Sequence, residues 1–432
     1  MVYNIIIGRD EKDKEKFGDK GLILLGKQYV KMGEFTSLSN NVYMDIARSH
    51  VILVSGKRGS GKSYSLGSIA ENIVNMPDDV SKNLAVLIFD TMGIFWSMKF
   101  PNLKEEDNLK EWGLKPQGLK VKVYVPKGHF QDFKKSNIPV DSSFALRPNE
   151  LSGLDWCSVF NVHMLEPIGI LIAKTIKSMN GNYNLNDVIK KIENDDRAKQ
   201  EIKDAASSLF RLAESWGLFD KQSTEIKDIV KGKQVSILDL SVYKDWNIKT
   251  LVTSLISKKL LEERILIRKL EELENIKSES HYFDVAEARE EMPLVWLMID
   301  EAHEFLPREG KSLATDALVS LLREGRQPGI SVVLATQQPG EIHYDAITQS
   351  DIVISLRVTA RRDIEALNNI MQTYSTKDVL SYLNNLPKIK GSAMLLDDNS
   401  ERIYPIQIKP KMSWHGGETP TAVKLRKEIL EM

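Results

Sequence analysis

Short apolar runs recur along the chain, and most are four to seven residues long. Val51–Ser55, Leu84–Phe89, Lys120–Val125, Gln234–Ser241, Pro293–Ile299, Ser331–Thr336, Asp351–Val358 and Gly391–Leu396 are rich in β-branched residues and end at Gly, Asp, Ser or Thr. They predict strands buried on both faces rather than one-sided alternating strands. Between them the period changes. Leu66, Ile69, Ala70, Ile73 and Val74 fall at helical spacing after the first run. Strands alternating with helices predict an α/β fold with a mostly parallel sheet.

The pattern departs from this in three places. Residues 1–49 carry short strand-like pieces at Tyr3–Ile7, Leu22–Leu25 and Val42–Ile46, and predict a small β-rich N-terminal domain. Residues 142–233 read as a helical insertion, with one stripe at Ile168, Leu171, Ile172, Thr175, Ile176 and Met179. A second stripe follows at Ala205, Leu209, Leu212, Ala213 and Trp216. Leu251–Ile276 reads as a long helix whose charges alternate in sign, as on a solvated face. The core is therefore expected over 50–141 and 234–415, with a tail or helix over 416–432.

Composition adds bounds. The 432 residues allow roughly two or three domains. With 59 Lys plus Arg against 60 Asp plus Glu the net charge is −1, which excludes a globally basic coat but not a local basic path. One cysteine, Cys157, excludes a disulfide framework and a thiolate zinc site, and the seven histidines show no ligand spacing. No apolar run reaches the roughly 20 residues that span a bilayer, so a cytoplasmic protein with no membrane partner is expected.

Gly56-Lys-Arg-Gly-Ser-Gly-Lys-Ser63 carries the chemistry most plainly. It fits G-x-x-x-x-G-K-[ST] at every fixed position, after a strand and before a helix. Glycines let the backbone wrap a phosphate, and the helix N-terminus faces the same anion. Gly56, Lys57, Arg58, Gly59, Ser60, Gly61, Lys62, Ser63 and Tyr64 are the expected nucleotide-binding residues. Lys62 would reach the β- and γ-phosphates and the Ser63 hydroxyl would ligate Mg²⁺, with ATP as nucleotide. Leu294-Val-Trp-Leu-Met-Ile-Asp-Glu301 is the acidic strand that such a loop needs. Asp300 would hold the magnesium and Glu301 would polarise the attacking water.

Gln337, ending the run Ala335-Thr-Gln337, can contact the γ-phosphate or the water. Arg323 and Arg326 lie between the acidic strand and Gln337, and a guanidinium there can stabilise the transferring phosphoryl group. Arg326 is the first candidate. Asp90 either orients the magnesium shell or caps its own turn. Basic clusters at Lys120/Lys122, Lys127, Lys134/Lys135 and Arg361/Arg362 are either DNA-facing or solvated surface.

Four segments together resemble the HerA/FtsK family of P-loop ATPases, and its HerA (DUF87-type) branch most. They are Arg48–Ser63, Met298–His303, Arg323–Arg326 and Ala335–Gln337, in family order. The resemblance implies a RecA-like core, Glu301 as catalytic base, Gln337 as sensor and Arg326 as a finger acting on the neighbouring subunit. It further implies a homohexameric DNA translocase or helicase with double-stranded DNA in a central pore. A NurA-like nuclease is the partner it implies, in DNA end processing or defence. Asp300-Glu-Ala-His303 shares its letters with DEAH-box helicases, but there the acidic box follows the lysine loop closely, and here the helical segment intervenes. Two other readings fit the same motifs: an ATP-driven switch or assembly platform for a protein partner, and a nucleoprotein packaging or secretion motor. The segment before residue 50 is short for the barrel of typical HerA proteins.

Overall fold

The structure, a computed structural model, describes residues 3–32, 35–280, 292–358, 361–371 and 386–418. Most of the expected tail at 416–432 lies outside these residues, as does the Arg361 side chain.

The described strands form one mixed sheet. They are β1 (Ile5–Ile7), β2 (Leu22–Met32), β3 (Phe35–Asp45), β4 (Val51–Ser55), β5 (Leu84–Asp90), β6 (Val121–Pro126), β7 (Ser142–Phe144), β8 (Gln234–Asp239), β9 (Leu294–Ile299), β10 (Ile330–Thr336), β11 (Ile352–Leu356), β12 (Ser392–Asp397) and β13 (Arg402–Ile408). Their order is β1-β3-β2-β13-β12-β11-β4-β10-β9-β5-β8-β6-β7. From β11 to β7 every neighbouring pair is parallel. Towards the other edge, the pairs β11–β12, β12–β13, β13–β2 and β2–β3 are antiparallel, and the edge strand β1 runs parallel to β3.

Burial explains the unbroken apolar runs. In β4, Val51 and Leu53 enter one core, and Ile52 and Val54 enter the core on the opposite face. Ala85, Leu87 and Phe89 alternate with Leu84, Val86 and Ile88 in the same way along β5. One face is covered by the phosphate-loop helix Lys62–Val74, through Leu66, Ile69 and Ile73. The other takes the long helix Trp246–Ser280 and the helices Gly153–Val159, Pro167–Ser178, Leu185–Glu193 and Gln200–Ser215. Trp156 centres the latter group, with its ring 4.9 Å from Phe210 and 5.1 Å from Phe219.

Two details differ from the expectation drawn from pattern alone. Residues 142–144 form the edge strand β7, although the 142–233 stretch reads as helical; three residues with two serines give no alternation to detect. The N-terminal hairpin of β2 and β3 joins the same sheet through β13, a pairing between segments nearly the whole chain apart.

The segment after β13 straps the phosphate-loop helix. Glu71, fully buried on that helix, accepts hydrogen bonds from the Met412 amide (2.8 Å), the Ser413 amide (3.0 Å) and the Ser413 hydroxyl (2.9 Å). Lys411 lies against Gly67, where a Cβ would come within 2.7 Å of its side chain. Glu71→Ala would leave buried donors without an acceptor. It should lower stability by about 3 kcal/mol, read as a shift in the urea midpoint at unchanged slope.

Candidate nucleotide site

Parallel strands leave their C-terminal ends on one edge of the sheet, where ligands of open α/β folds bind. The order β4-β10-β9 sets the ends of three strands side by side there. Each end carries one part of the candidate chemistry.

The loop after β4 turns on positive φ at Gly59 (+76°) and Gly61 (+111°), angles that L side chains rarely adopt. Gly56 is needed for space, since a Cβ would meet the Ser60 hydroxyl at 2.5 Å. The Gly56 amide is spent on Thr336 O (3.2 Å), the Lys57 amide on Arg357 O (2.8 Å) and the Ser60 amide on Lys57 O (3.1 Å). The amides opening the helix after Gly61 have no side-chain cap and no intrahelical acceptor, which leaves them for an anion. Lys57 and Arg58 are exposed, whereas Lys62 is buried. Burial pushes the Lys62 ammonium below the ordinary lysine range, against the pull of Glu301 and Asp300. The Tyr64 side chain turns away: its hydroxyl donates to Glu105 (2.5 Å) and accepts from the Lys411 amide (2.6 Å).

Asp300 follows β9, and its Oδ2 accepts from the Ser63 hydroxyl at 2.5 Å, though the two are 237 residues apart. A hydroxyl paired with a buried carboxylate beside free helix amides is an oxygen donor set that suits Mg²⁺. Glu301 stands next in left-handed backbone (φ +53°), a conformation that costs energy in a non-glycine residue. One of its carboxylate oxygens, Oε2, is buried without a hydrogen-bond partner. Burial, then the Asp300 charge, push its pKa up to about 7, while Lys62 and the Gln337 amide act the other way. A buried carboxylate whose pKa is raised towards neutrality, with a free oxygen and within the field of a lysine, is equipped to take a proton near neutral pH.

Gln337 follows β10, between the two motifs, because β10 lies between β4 and β9. His303 ties this edge together, an arrangement that sequence reasoning missed. Its Nδ1 is 3.3 Å from Thr336 Oγ1 and 3.7 Å from Glu301 Oε2, and its Nε2 is 3.4 Å from Gln338 Nε2. Burial holds its pKa below the usual histidine value, so the ring is neutral. The letters Asp-Glu-Ala-His hint at it, but only the neighbouring strand supplies its partners.

The other candidates are held by other partners. Asp90 caps its own turn: Oδ1 accepts from the Gly93 amide (2.7 Å) and Oδ2 from the Phe95 amide (2.8 Å). Arg323 makes three hydrogen bonds to the buried Asp345, at 3.1, 3.0 and 2.9 Å. Arg326 pairs with Asp351 at 2.7 Å. Asp351 also binds the amide of Val51, at the start of β4. The phosphate loop begins at the other end of that five-residue strand, about 15 Å away at roughly 3.3 Å per residue. Within this chain, Arg326 does not reach the phosphate loop. Of the basic clusters, Lys127 pairs with Asp220 and Arg362 with Glu341. No helix among the described residues is long and apolar enough to cross a membrane.

The chain is similar to known proteins in sequence and in fold. The chain is 28% identical over 170 residues to the probable DNA double-strand break repair helicase HerA of Methanocaldococcus jannaschii, covering 36% of this chain and 32% of that one. It is 23% identical over 175 residues to the DNA double-strand break repair helicase HerA of Pyrococcus furiosus, covering 39% and 31%. The chain thus spans about a third of the length of these relatives. The structure is similar to VirB4 of Thermoanaerobacter pseudethanolicus, with a TM-score of 0.54, 12% identity and coverage of 91% of this chain and 98% of that one. That likeness shows the fold alone. The helicase HerA central-domain family matches residues 30–260, more than half of the chain. With the loop, acidic strand and strand order described above, the chain belongs to the HerA family of P-loop ATPases.

Proposed function

We propose that this protein is a Mg²⁺-dependent ATPase that works as a hexameric DNA translocase or helicase of the HerA type. The observation that carries this reading is the meeting of Ser63, Asp300 and Glu301 at the ends of two strands far apart in sequence. In this reading the phosphate-loop amides and Lys62 hold the β- and γ-phosphates. Ser63 and Asp300 would hold Mg²⁺, which when bound neutralises charge on the phosphates. Glu301 accepts the proton of the attacking water, and Gln337 orients that water or reports on the γ-phosphate. Arg326, too far from its own loop, serves the site of the neighbouring subunit. Arg323, fixed by Asp345, supports the fold.

DNA, double-stranded and passing through the ring, is the proposed substrate of movement. The near-zero net charge is compatible with this, because a motor needs positive charge only along its pore. A NurA-like nuclease is the proposed partner in DNA end processing or defence, and co-purification tests that part separately.

ATP turnover measured with and without duplex DNA tests the central claim. Stimulation of several-fold, falling as salt rises, is the expected result. Turnover indifferent to both duplex and single-stranded DNA would overturn the translocase reading and leave the protein-partner switch. Six-fold rings by electron microscopy are the expected assembly.

A further inference from the structure

We propose that Asp351, braced by His50, is a positioning residue that presents Arg326 to the nucleotide site of the neighbouring subunit. This rests on the reading of Arg326 as a finger acting in trans.

Asp351 is held from three sides. Its Oδ1 accepts the Val51 amide at 2.9 Å, and its Oδ2 lies 2.7 Å from His50 Nδ1 and 2.7 Å from Arg326 Nη2. His50 is itself fixed. It is buried, its amide donates to Ser331 Oγ at 3.1 Å, and its Nε2 lies 3.3 Å from Asp45. Asp45 is in turn bound by the buried Arg9, whose Nε donates to it at 2.9 Å. Burial alone would discharge His50, but the hydrogen bonds and charges of Asp351 and Asp45 outweigh it and raise its pKa to about 9. Each ring nitrogen lies within hydrogen-bond reach of a carboxylate. Burial would likewise raise Asp351, yet His50 and Arg326 hold it below the usual carboxylate value, so it stays ionised.

The result is an anion fixed in place with one direction left for Arg326. The Arg326 side chain is half-exposed and faces a cavity of about 440 Å³ that Asp351, Arg48 and Asp397 also line. Arg323, three residues earlier, is bound instead by both oxygens of Asp345. An arginine with a single charged anchor samples fewer rotamers before it meets a phosphate, which lowers the ordering cost of reaching it. The clamp also connects Arg326 to Val51, in the strand that leads to the subunit's own phosphate loop.

Mixed oligomers test this. Lys62→Ala subunits have no working site of their own but can lend Arg326, and Arg326→Ala subunits have a site but no finger. Their mixture should regain turnover. Placing Asp351→Asn in the Lys62→Ala subunit should cut the regained rate about tenfold, with the KM for ATP unchanged. In that subunit a purely local effect on its own site cannot be seen, so the loss reports the lent arginine. Asp351→Glu should recover part of the rate. If the Asp351→Asn subunit fails to assemble, His50→Gln in the same position gives the reading, with a loss of several-fold. A regained rate unaffected by these changes in assembled rings overturns the clamp alone. No regained rate in the reference mixture overturns the trans finger and the clamp together.

Discussion

Glu301→Gln should stop ATP turnover while leaving ATP binding nearly unchanged. The substitution keeps the size and the hydrogen-bonding reach of the side chain but removes its capacity to accept a proton. Glu301 is suited to that task by its surroundings. Burial and the Asp300 charge raise its pKa to about 7, and its Oε2 has no hydrogen-bond partner in the folded chain. Its left-handed backbone turns the residue at the strand tip, a strained arrangement of the kind found where geometry is fixed for chemistry. General-base catalysis contributes about 10²- to 10⁴-fold, so kcat should fall by about a thousandfold. Phosphate release measures kcat, and titration calorimetry with a non-hydrolysable nucleotide measures binding, which should shift by no more than a few-fold. Turnover retained in the variant would show that another group activates the water.

Arg326→Ala should be comparably severe and, unlike Glu301→Gln, should be repaired by another subunit. The expected loss is about 10³-fold or more, the scale of an arginine finger. Its own phosphate loop is about 15 Å away along β4, so ATP binding should persist. Lys62→Ala subunits, which lose the buried ammonium of the loop, should restore turnover on mixing. Neither variant should be active alone. Arg323→Ala should behave differently. It breaks the paired contacts to Asp345 and should appear as lower stability rather than as a defect that mixing repairs.

The same residues show how far a linear reading goes. The phosphate loop is legible because its function is local: Gly59 and Gly61 make the turn, and Lys62 and Ser63 open the helix that follows at once. The acidic strand is legible because a buried apolar run must end where it meets solvent, and a carboxylate pair there stands out. Arg326 could be singled out by type and segment, but not by what it touches, since its partner Asp351 lies just before β11. His50 is one of seven histidines that show no ligand spacing in the sequence. Only the neighbouring Asp45 and Asp351 make it an imidazolium at neutral pH. The edge strand β7 was invisible because three residues cannot show a period.

By itself, then, the amino-acid order determined the element types, the phosphate loop and the carboxylates of the acidic strand, all of which depend on residues close together in the chain. Tertiary structure decided the rest. Inserting β10 between β4 and β9 places Gln337 between Lys62 and Glu301 and gives His303 its partners, and burial of each strand on both faces fixes that order. The pairing of β2 with β13 and the hold of Glu71 on residues 412 and 413 join segments hundreds of residues apart. Such contacts form because buried polar groups must find partners wherever the fold brings them, and spacing along the chain carries no record of that.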